Sequence, residues 1–252
     1  MRNLPLRLIM IALFLASTPV AAQTVPVPQP NPKSQEAAQV KEETGEEERQ
    51  PQQQPDTRIY QAACPAVLDG TVIARLLPPL VQDQCGERSP LEVREIAGIK
   101  LTAKAVLNCR MATETAHWIG DLNRAAEEVL ATKVSSIATS TSFLCRRRNN
   151  APDGKISEHG FANALDIIGF NFEDGSRVTL IDDWPQPAVP TEGEDIPATD
   201  RTPEYRFLRT VRDKACERFT TVLGPEANAL HADHFHFDLG CHGKTCTYKI
   251  CE

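Results

Sequence analysis

A change in composition near residue 57 confines any folded core to the C-terminal part of the chain. Residues 23–57 are rich in proline, glutamine and glutamate and contain no aromatic residue. Such a segment buries too little apolar surface to offset the entropy of ordering it, so we expect a disordered tether. The remaining stretch, residues 58–252, has the length of one ordinary domain.

The first 22 residues have the layout of a signal peptide. Arg2 and Arg7 precede an apolar stretch, and small residues end at Ala22. This pattern predicts export, with cleavage after Ala22 and a periplasmic or secreted protein. The apolar stretch is short for a bilayer, so no stable membrane span is expected after cleavage. An uncleaved membrane anchor is the alternative.

The eight cysteines also favour an oxidising compartment. No two of them have the C-x-x-C spacing of a structural zinc site, so disulfides are the better interpretation. Eight cysteines allow 105 pairings. Loop length favours Cys64 with Cys85. Cys109 with Cys145 is also expected, since this pair would tie the first helix to the strand that enters the site.

A net charge of −7 argues against nucleic acid as a partner. Binding to phosphates requires a basic face, which this composition does not supply. The sequence identifies no protein partner.

The apolar pattern from 58 to 252 predicts an α+β domain, with a mostly antiparallel sheet and flanking helices. Apolar residues recur at helical spacing from 105 to 130, and Thr202 followed by Pro203 is typical of a helix start. A long surface loop is expected at 182–201. The expected strands are 91–96, 134–143, a hairpin of 164–172 with 177–181, and the stretches TTVLG and HFHFDL.

Histidines cluster in the run from His231 to His236. In a strand, His234 and His236 share one face, while the neighbouring phenylalanines point into the core. His231 and Asp233 have the opposite parity, so they approach the same site only if the chain bends before the strand begins. Two imidazoles side by side are typical of a zinc site.

The run from His231 to His236 is the second cluster along the chain, and the first contains His159 and Asp166, seven residues apart. On a continuous helix they would be separated by a rise of about 10.5 Å, too far to share one ion. The segment must therefore turn, and Gly160 allows this. Two histidines and one carboxylate leave a fourth zinc position open, which is typical of a catalytic site. The alternative is a buried hydrogen-bond network without metal.

The motifs resemble those of a known group of enzymes. Ser157-x-His159 and Ala164-x-Asp166 resemble the S-x-H-x-x-G-x-A-x-D motif of the LAS metallopeptidases, which include D-Ala-D-Ala peptidases, penicillin-insensitive murein endopeptidase and the Hedgehog fold. The H-x-x-H-x-H run resembles that of the murein endopeptidase. Together, CRRRN, SEHGFANALDI and HADHFHFD are similar to the bacterial extensin-like C-terminal domain family, over nearly all of residues 58–252.

The resemblance implies a Hedgehog/DD-peptidase-like zinc site. Its ligands would be His159, Asp166 and His236, and His234 would polarise the scissile carbonyl or its oxyanion. Arg146, which precedes the first cluster, would steady the oxyanion or hold a peptide carboxylate. A solvated basic turn at 146–148 is the alternative for the arginines.

Four further residues depart from that pattern or lie beside it. No glutamate precedes His236 by three residues. His231 is the favoured general base, and Asp233 is its rival or its orienting partner. Ala162 stands where the motif has glycine, which is tolerable if its backbone is not left-handed. Glu158 is expected to face solvent.

The resemblance implies a zinc-dependent peptidase of the periplasm. It would hydrolyse peptidoglycan cross-links or stem peptides by metal-activated water. The alternative is a non-catalytic, zinc-containing module that binds the cell wall or regulates another protein.

Overall fold

The computed structural model describes residues 61–185 and 202–252. The predicted signal peptide and tether lie outside the described residues, as does most of the predicted surface loop. Within the described ranges, no helix is both long enough and apolar enough to cross a bilayer.

The fold is α+β, as predicted, with four α-helices and eleven strands among the described residues. Most of the strands form one sheet, in the order β1-β4-β5-β6-β7-β10-β9-β11, and β8 pairs with β7. Only the β5–β6 and β9–β11 pairs in this part of the chain are parallel. The helices are α1 (Pro65–Leu68), α2 (Cys109–Leu130), α3 (Leu180–Asp183) and α4 (Pro203–Arg218). The strands are β1 (Val72–Leu76), β2 (Leu80–Gln82), β3 (Cys85–Glu87), β4 (Leu91–Ile96), β5 (Ile99–Leu107), β6 (Val134–Thr139), β7 (Ala164–Phe172), β8 (Arg177–Thr179), β9 (Thr221–Leu223), β10 (Phe235–Asp238) and β11 (Ile250–Cys251).

Two helices cover the sheet and close the core. The indole of Trp118 on α2 donates a hydrogen bond to the Val211 carbonyl of α4 at 3.1 Å. The same ring meets Phe237 of β10 edge-on, with 5.2 Å between centroids. Both rings are fully buried, so the strand that carries the second histidine cluster is anchored from its opposite face.

Three of the predicted elements differ from the structure by two residues or more at one end. Helix α2 begins at Cys109 rather than at 105, because the preceding residues belong to β5. The Asn108 side chain caps the helix by accepting a hydrogen bond from the Met111 amide at 2.7 Å. Strand β6 ends at Thr139 rather than at 143. Strand β8 ends at Thr179, whose hydroxyl caps α3. Thr202 caps α4 with Pro203 in its first turn, as predicted.

The four disulfides differ from both predicted pairs. The predictions of Cys64 with Cys85, and of Cys109 with Cys145, are wrong. The first rested on loop length and the second on tying the first helix to the strand that enters the site. Packing instead brings α1 to the start of α2, and β3 to the segment before His159. The observed pairs are Cys64–Cys109, Cys85–Cys145, Cys216–Cys251 and Cys241–Cys246.

Candidate metal centre

Three chain segments bring His159, Asp166 and His236 together. Asp166 lies on β7 and His236 on β10, and the antiparallel register places them directly opposite each other. His159 lies in the 3₁₀ helix Glu158–Phe161, which leads into β7. The turn between His159 and Asp166 is the one that their spacing required. All three side chains are buried.

The three nearest side-chain atoms form a compact triangle. His159 Nε2 lies 3.2 Å from Asp166 Oδ1 and 3.1 Å from His236 Nδ1. His236 Nδ1 lies 2.9 Å from the same Asp166 oxygen. Ligands at about 2.0–2.1 Å from a tetrahedral zinc are separated by about 3.3 Å. The spacing of this triangle therefore suits a zinc ion.

On each imidazole ring, one nitrogen points away from the triangle and its partner there fixes the tautomer. The other nitrogen then faces the triangle with a lone pair. His159 Nδ1 lies 2.5 Å from the carbonyl oxygen of Ser142, which only accepts, so this nitrogen carries the proton. His236 Nε2 lies 3.1 Å from Asp238 Oδ2 and donates to it. Neutral rings held in this way turn three acceptor atoms toward one another, and a bound cation satisfies all of them.

The charges of the metal-free site agree with this arrangement. Burial alone would lower the pKa of His236, but hydrogen bonds to Asp166 and Asp238 raise it to about 9. Burial would likewise raise the pKa of Asp166, yet hydrogen bonds from His159 and His236 hold it well below its usual range. Without a metal, a proton on His236 therefore compensates the carboxylates, and a cation replaces that charge.

A cleft of about 270 Å³ has one residue of the triangle, His236, in its wall. We call it the site cleft. Its wall also includes basic and imidazole side chains (Arg146, Arg148, His231 and His242) and acidic ones (Glu158, Asp238 and Glu252). The cleft therefore brings His236 together with side chains of both charges.

His231 lies in this wall, in the 3₁₀ helix Ala229–His231. The chain thus bends before β10, as its parity required. Its Nδ1 donates to Asn228 Oδ1 at 2.9 Å, which leaves Nε2 with a lone pair. Burial, followed by the nearby charges of His234 and His236, lowers the pKa of His231 to about 4. The ring is therefore neutral near pH 7, with its Nε2 lone pair in the site cleft.

Asp233 and His234 form a pair beside the triangle. His234 Nδ1 lies 2.8 Å from Asp233 Oδ1, and its Nε2 lies 3.9 Å from Asp166 Oδ1. The Asp233 side chain is 64% exposed. Asp233 therefore orients His234, whereas Asn228 orients His231.

The arginines at 146–148 separate into different environments. Arg146 is half-buried in the site cleft, and its charge adds to the lowering of the pKa of His231. Arg147 instead bonds the carbonyl of Gly154. Arg148 Nη2 lies 3.5 Å from Glu158 Oε1.

The prediction that Glu158 faces solvent is wrong. Its side chain is 15% exposed, and it accepts a hydrogen bond from Asn163 Nδ2 at 2.8 Å. It packs so closely on Gly240 that a Cβ there would lie 2.8 Å from Glu158 Oε1. Glu158 is therefore part of the cleft wall.

Sequence reasoning also missed Asp238, the partner of His236. Its signal was present, because residues two apart on a strand share a face. The Ser142 carbonyl had no such signal, since any residue type supplies a backbone oxygen.

The alanine in place of the motif glycine lies in the left-handed region. Ala162 has φ 51° and ψ 28° and ends the 3₁₀ helix that carries His159. The condition for tolerating alanine at low cost is not met, and this conformation costs about 1 kcal/mol. Its amide bonds the His159 carbonyl at 3.2 Å, so the turn is maintained despite that cost.

Comparison with known proteins gives one match. The family model described as Extensin-like protein C-terminus matches residues 62–252. No curated protein and no solved structure matches the chain.

Proposed function

The chain belongs to the extensin-like protein C-terminus family, and from that premise we propose that it is a zinc-dependent peptidase of peptidoglycan peptides. The observation that carries the proposal is the triangle of His159, Asp166 and His236, whose lone pairs converge because Ser142 and Asp238 fix the two rings. One residue of the triangle, His236, also lines the site cleft, together with the neutral imidazole of His231 and the guanidinium of Arg146.

The motifs support a relation to the LAS metallopeptidases. The three proposed ligands occupy the histidine, aspartate and final histidine positions of the motifs that the sequence resembles. With three protein ligands, a tetrahedral ion keeps one position for water or substrate. Zinc held in this way supplies a Lewis acid that polarises a carbonyl and makes water nucleophilic near neutral pH.

The chain's own residues suit amide hydrolysis. His231 Nε2 carries a lone pair and accepts the proton that a water nucleophile loses, and then delivers it to the leaving amine. The guanidinium of Arg146 pairs with negative charge on the substrate oxygen. His234, oriented by Asp233, donates to that oxygen when its ring is protonated.

Location and substrate class rest on other features. Four disulfides are compatible with an extracellular or secreted protein, and the signal-peptide pattern favours the periplasm. The resemblance to the murein endopeptidase favours peptide cross-links or stem peptides of the wall. The 35-residue stretch rich in proline, glutamine and glutamate would give the enzyme reach.

Digestion of purified sacculi by the zinc-loaded protein tests the proposal. The comparison samples are chelated protein, His159→Ala, and His117→Ala, which removes an exposed helical histidine far from the triangle in sequence. We expect wild type and His117→Ala alone to convert cross-linked dimers to monomers or to shorten stem peptides, with product masses naming the bond. Stoichiometric zinc, unchanged muropeptides and cosedimentation with sacculi would instead indicate a wall-binding module.

A further inference from the structure

We propose that the hydroxyl groups of Thr139 and Ser142 position two of the metal ligands by clasping residues 140–144 to strand β5. We call residues 140–144 the crossing segment, because they lead from the end of β6 to His159 and Asp166. The inference rests on the proposed metal centre, and it assigns roles to two residues that lie outside both histidine clusters.

The crossing segment is joined to Asp166 by two backbone hydrogen bonds. The Ser140 amide donates to the Asp166 carbonyl at 3.0 Å, and the Asp166 amide donates to the Thr141 carbonyl at 2.9 Å. Asp166 belongs to β7, so these bonds continue the pairing of β6 with β7 beyond Thr139. The segment therefore fixes the backbone from which the Asp166 carboxylate projects.

The same segment holds His159 at its backbone and at its ring. The Leu144 amide donates to the His159 carbonyl at 3.3 Å, and the His159 ring donates from Nδ1 to the Ser142 carbonyl. A displacement of the crossing segment would therefore move both the imidazole and the turn that carries it. Together with Asp166, two of the three proposed ligands depend on the path of this segment.

Two side chains hold the crossing segment on β5. The register of the parallel β5–β6 ladder ends at Ile137. Beyond it, Thr139 Oγ1 donates to the Ala103 carbonyl of β5 at 3.1 Å. Further along, the Val106 amide of β5 donates to Ser142 Oγ at 2.9 Å. Side chains thus continue the attachment to β5 where the ladder ends, and their removal would loosen the segment.

The Ser142 clasp acts on the metal centre through a single residue. Its hydroxyl bonds β5 while its carbonyl receives the His159 ring, so Ser142 joins the sheet to the ligand. Without the hydroxyl, the half-buried Val106 amide loses its acceptor, and the segment must shift or admit water to satisfy it. Ligand distances in metal sites vary by only about 0.2 Å, so a small shift of the carbonyl lowers metal affinity.

Zinc affinity of matched variants of the full chain, measured by competition with a chromophoric chelator, tests the proposal. Ser142→Ala removes one clasp and keeps the backbone carbonyl that bonds His159. Its matched control is Ser176→Ala, since the Ser176 hydroxyl bonds Asp174 in an exposed turn. Thr139→Val removes the other clasp at nearly constant shape, and Thr139→Ser restores the hydroxyl.

We expect Ser142→Ala and Thr139→Val to bind zinc about 10-fold more weakly, the lower end of the usual effect of outer partners, because the carbonyl itself remains. Thr139→Ser and the control keep these contacts, so they should stay within about threefold of wild type. A second readout is the ring Nδ1–H proton resonance of His159 in zinc-loaded protein. It should move upfield in Ser142→Ala as its hydrogen bond lengthens, whereas a general loss of stability would leave its position unchanged.

The outcomes separate the two proposals. A wild-type protein that binds no zinc would overturn both the metal centre and the clasps. Zinc binding that neither Ser142→Ala nor Thr139→Val weakens, with an unmoved His159 resonance, would overturn the clasps alone, as would an equal loss in Ser176→Ala. Ser142 is half-buried, whereas Thr139 is 7% exposed, so Ser142→Ala still decides the question if Thr139→Val does not fold.

Discussion

His236 Nε2 lies 3.1 Å from Oδ2 of Asp238, two residues later on the same strand. Strand side chains two apart share a face, so the local sequence itself builds this contact. The histidine is thereby held from behind while its other nitrogen faces Asp166. We therefore expect this pair to contribute to metal affinity.

Asp238→Asn should weaken zinc binding about 10-fold to 100-fold. The amide keeps the shape of the carboxylate but lacks its charge, and its NH₂ group turned toward His236 would favour the wrong tautomer. Isothermal titration with zinc measures the effect. The matched control is Asp213→Asn, which removes a 60% exposed carboxylate on α4 and should leave affinity unchanged. Equal affinities for both variants and wild type would contradict a role for Asp238.

The stability of the chelated protein should fall as pH rises from about 6.5 to 9. The pKa of His236 is raised to about 9 in the folded, metal-free protein, against about 6.5 when unfolded. The contribution of protonated His236 to the free energy of unfolding is therefore complete below pH 6.5. It is lost as pH rises through the pKa of the folded protein, with a slope of at most about 1.4 kcal/mol per pH unit. Urea unfolding at several pH values measures this slope.

The zinc-loaded protein is the control for that titration. A bound metal occupies His236 Nδ1, so the decline above pH 6.5 should disappear. Below pH 6.5 another histidine makes the stability change with pH in the opposite direction. The pKa of His231 is lowered to about 4, so its contribution is lost as pH falls from 6.5 toward 4. A chelated protein that is equally stable at pH 6.5 and 9 would contradict the assignment for His236.

The sequence predicted the elements that carry the site better than the contacts between them. Alternation in HFHFD and the run from 164 to 172 indicated β10 and β7 with almost the observed bounds. The register that sets His236 opposite Asp166 is a property of the paired strands. A single strand pattern does not contain it, so the triangle followed from motif resemblance rather than from periodicity.

Long-range pairings were the least predictable feature. Cys85 and Cys145 are 60 residues apart, and loop length favoured Cys64 as the partner of Cys85. The energy of loop closure changes slowly with length, so length discriminates poorly between pairings. The same limit hid the contact of Glu158 with Gly240, which depends on the path of the chain after β10.

His231→Gln should abolish most hydrolysis while leaving zinc bound. His231 lies in the site cleft with a neutral ring, and loss of a general base typically costs 10²-fold to 10⁴-fold in kcat. Asp233→Asn should have a smaller effect, because its carboxylate is largely exposed and orients His234. Muropeptide turnover, with metal content measured on the same samples, distinguishes the two. A larger loss for Asp233→Asn would exchange their roles.

Gly160→Ala should weaken zinc binding, because this glycine follows His159 and has no room for a side chain. A Cβ there would lie 2.7 Å from Cys85 Sγ and 2.9 Å from Ile156 Cγ2. The Cys85–Cys145 disulfide cannot move far, so the turn bearing His159 must shift, at a cost of about 1–3 kcal/mol. Gly120→Ala is the control: nothing lies within 4 Å of its added Cβ, and on helix α2 it should stabilise by up to about 1 kcal/mol. Thermal unfolding and zinc titration of both variants measure the contrast, and an unimpaired Gly160→Ala protein would show that the packing behind His159 does not position it.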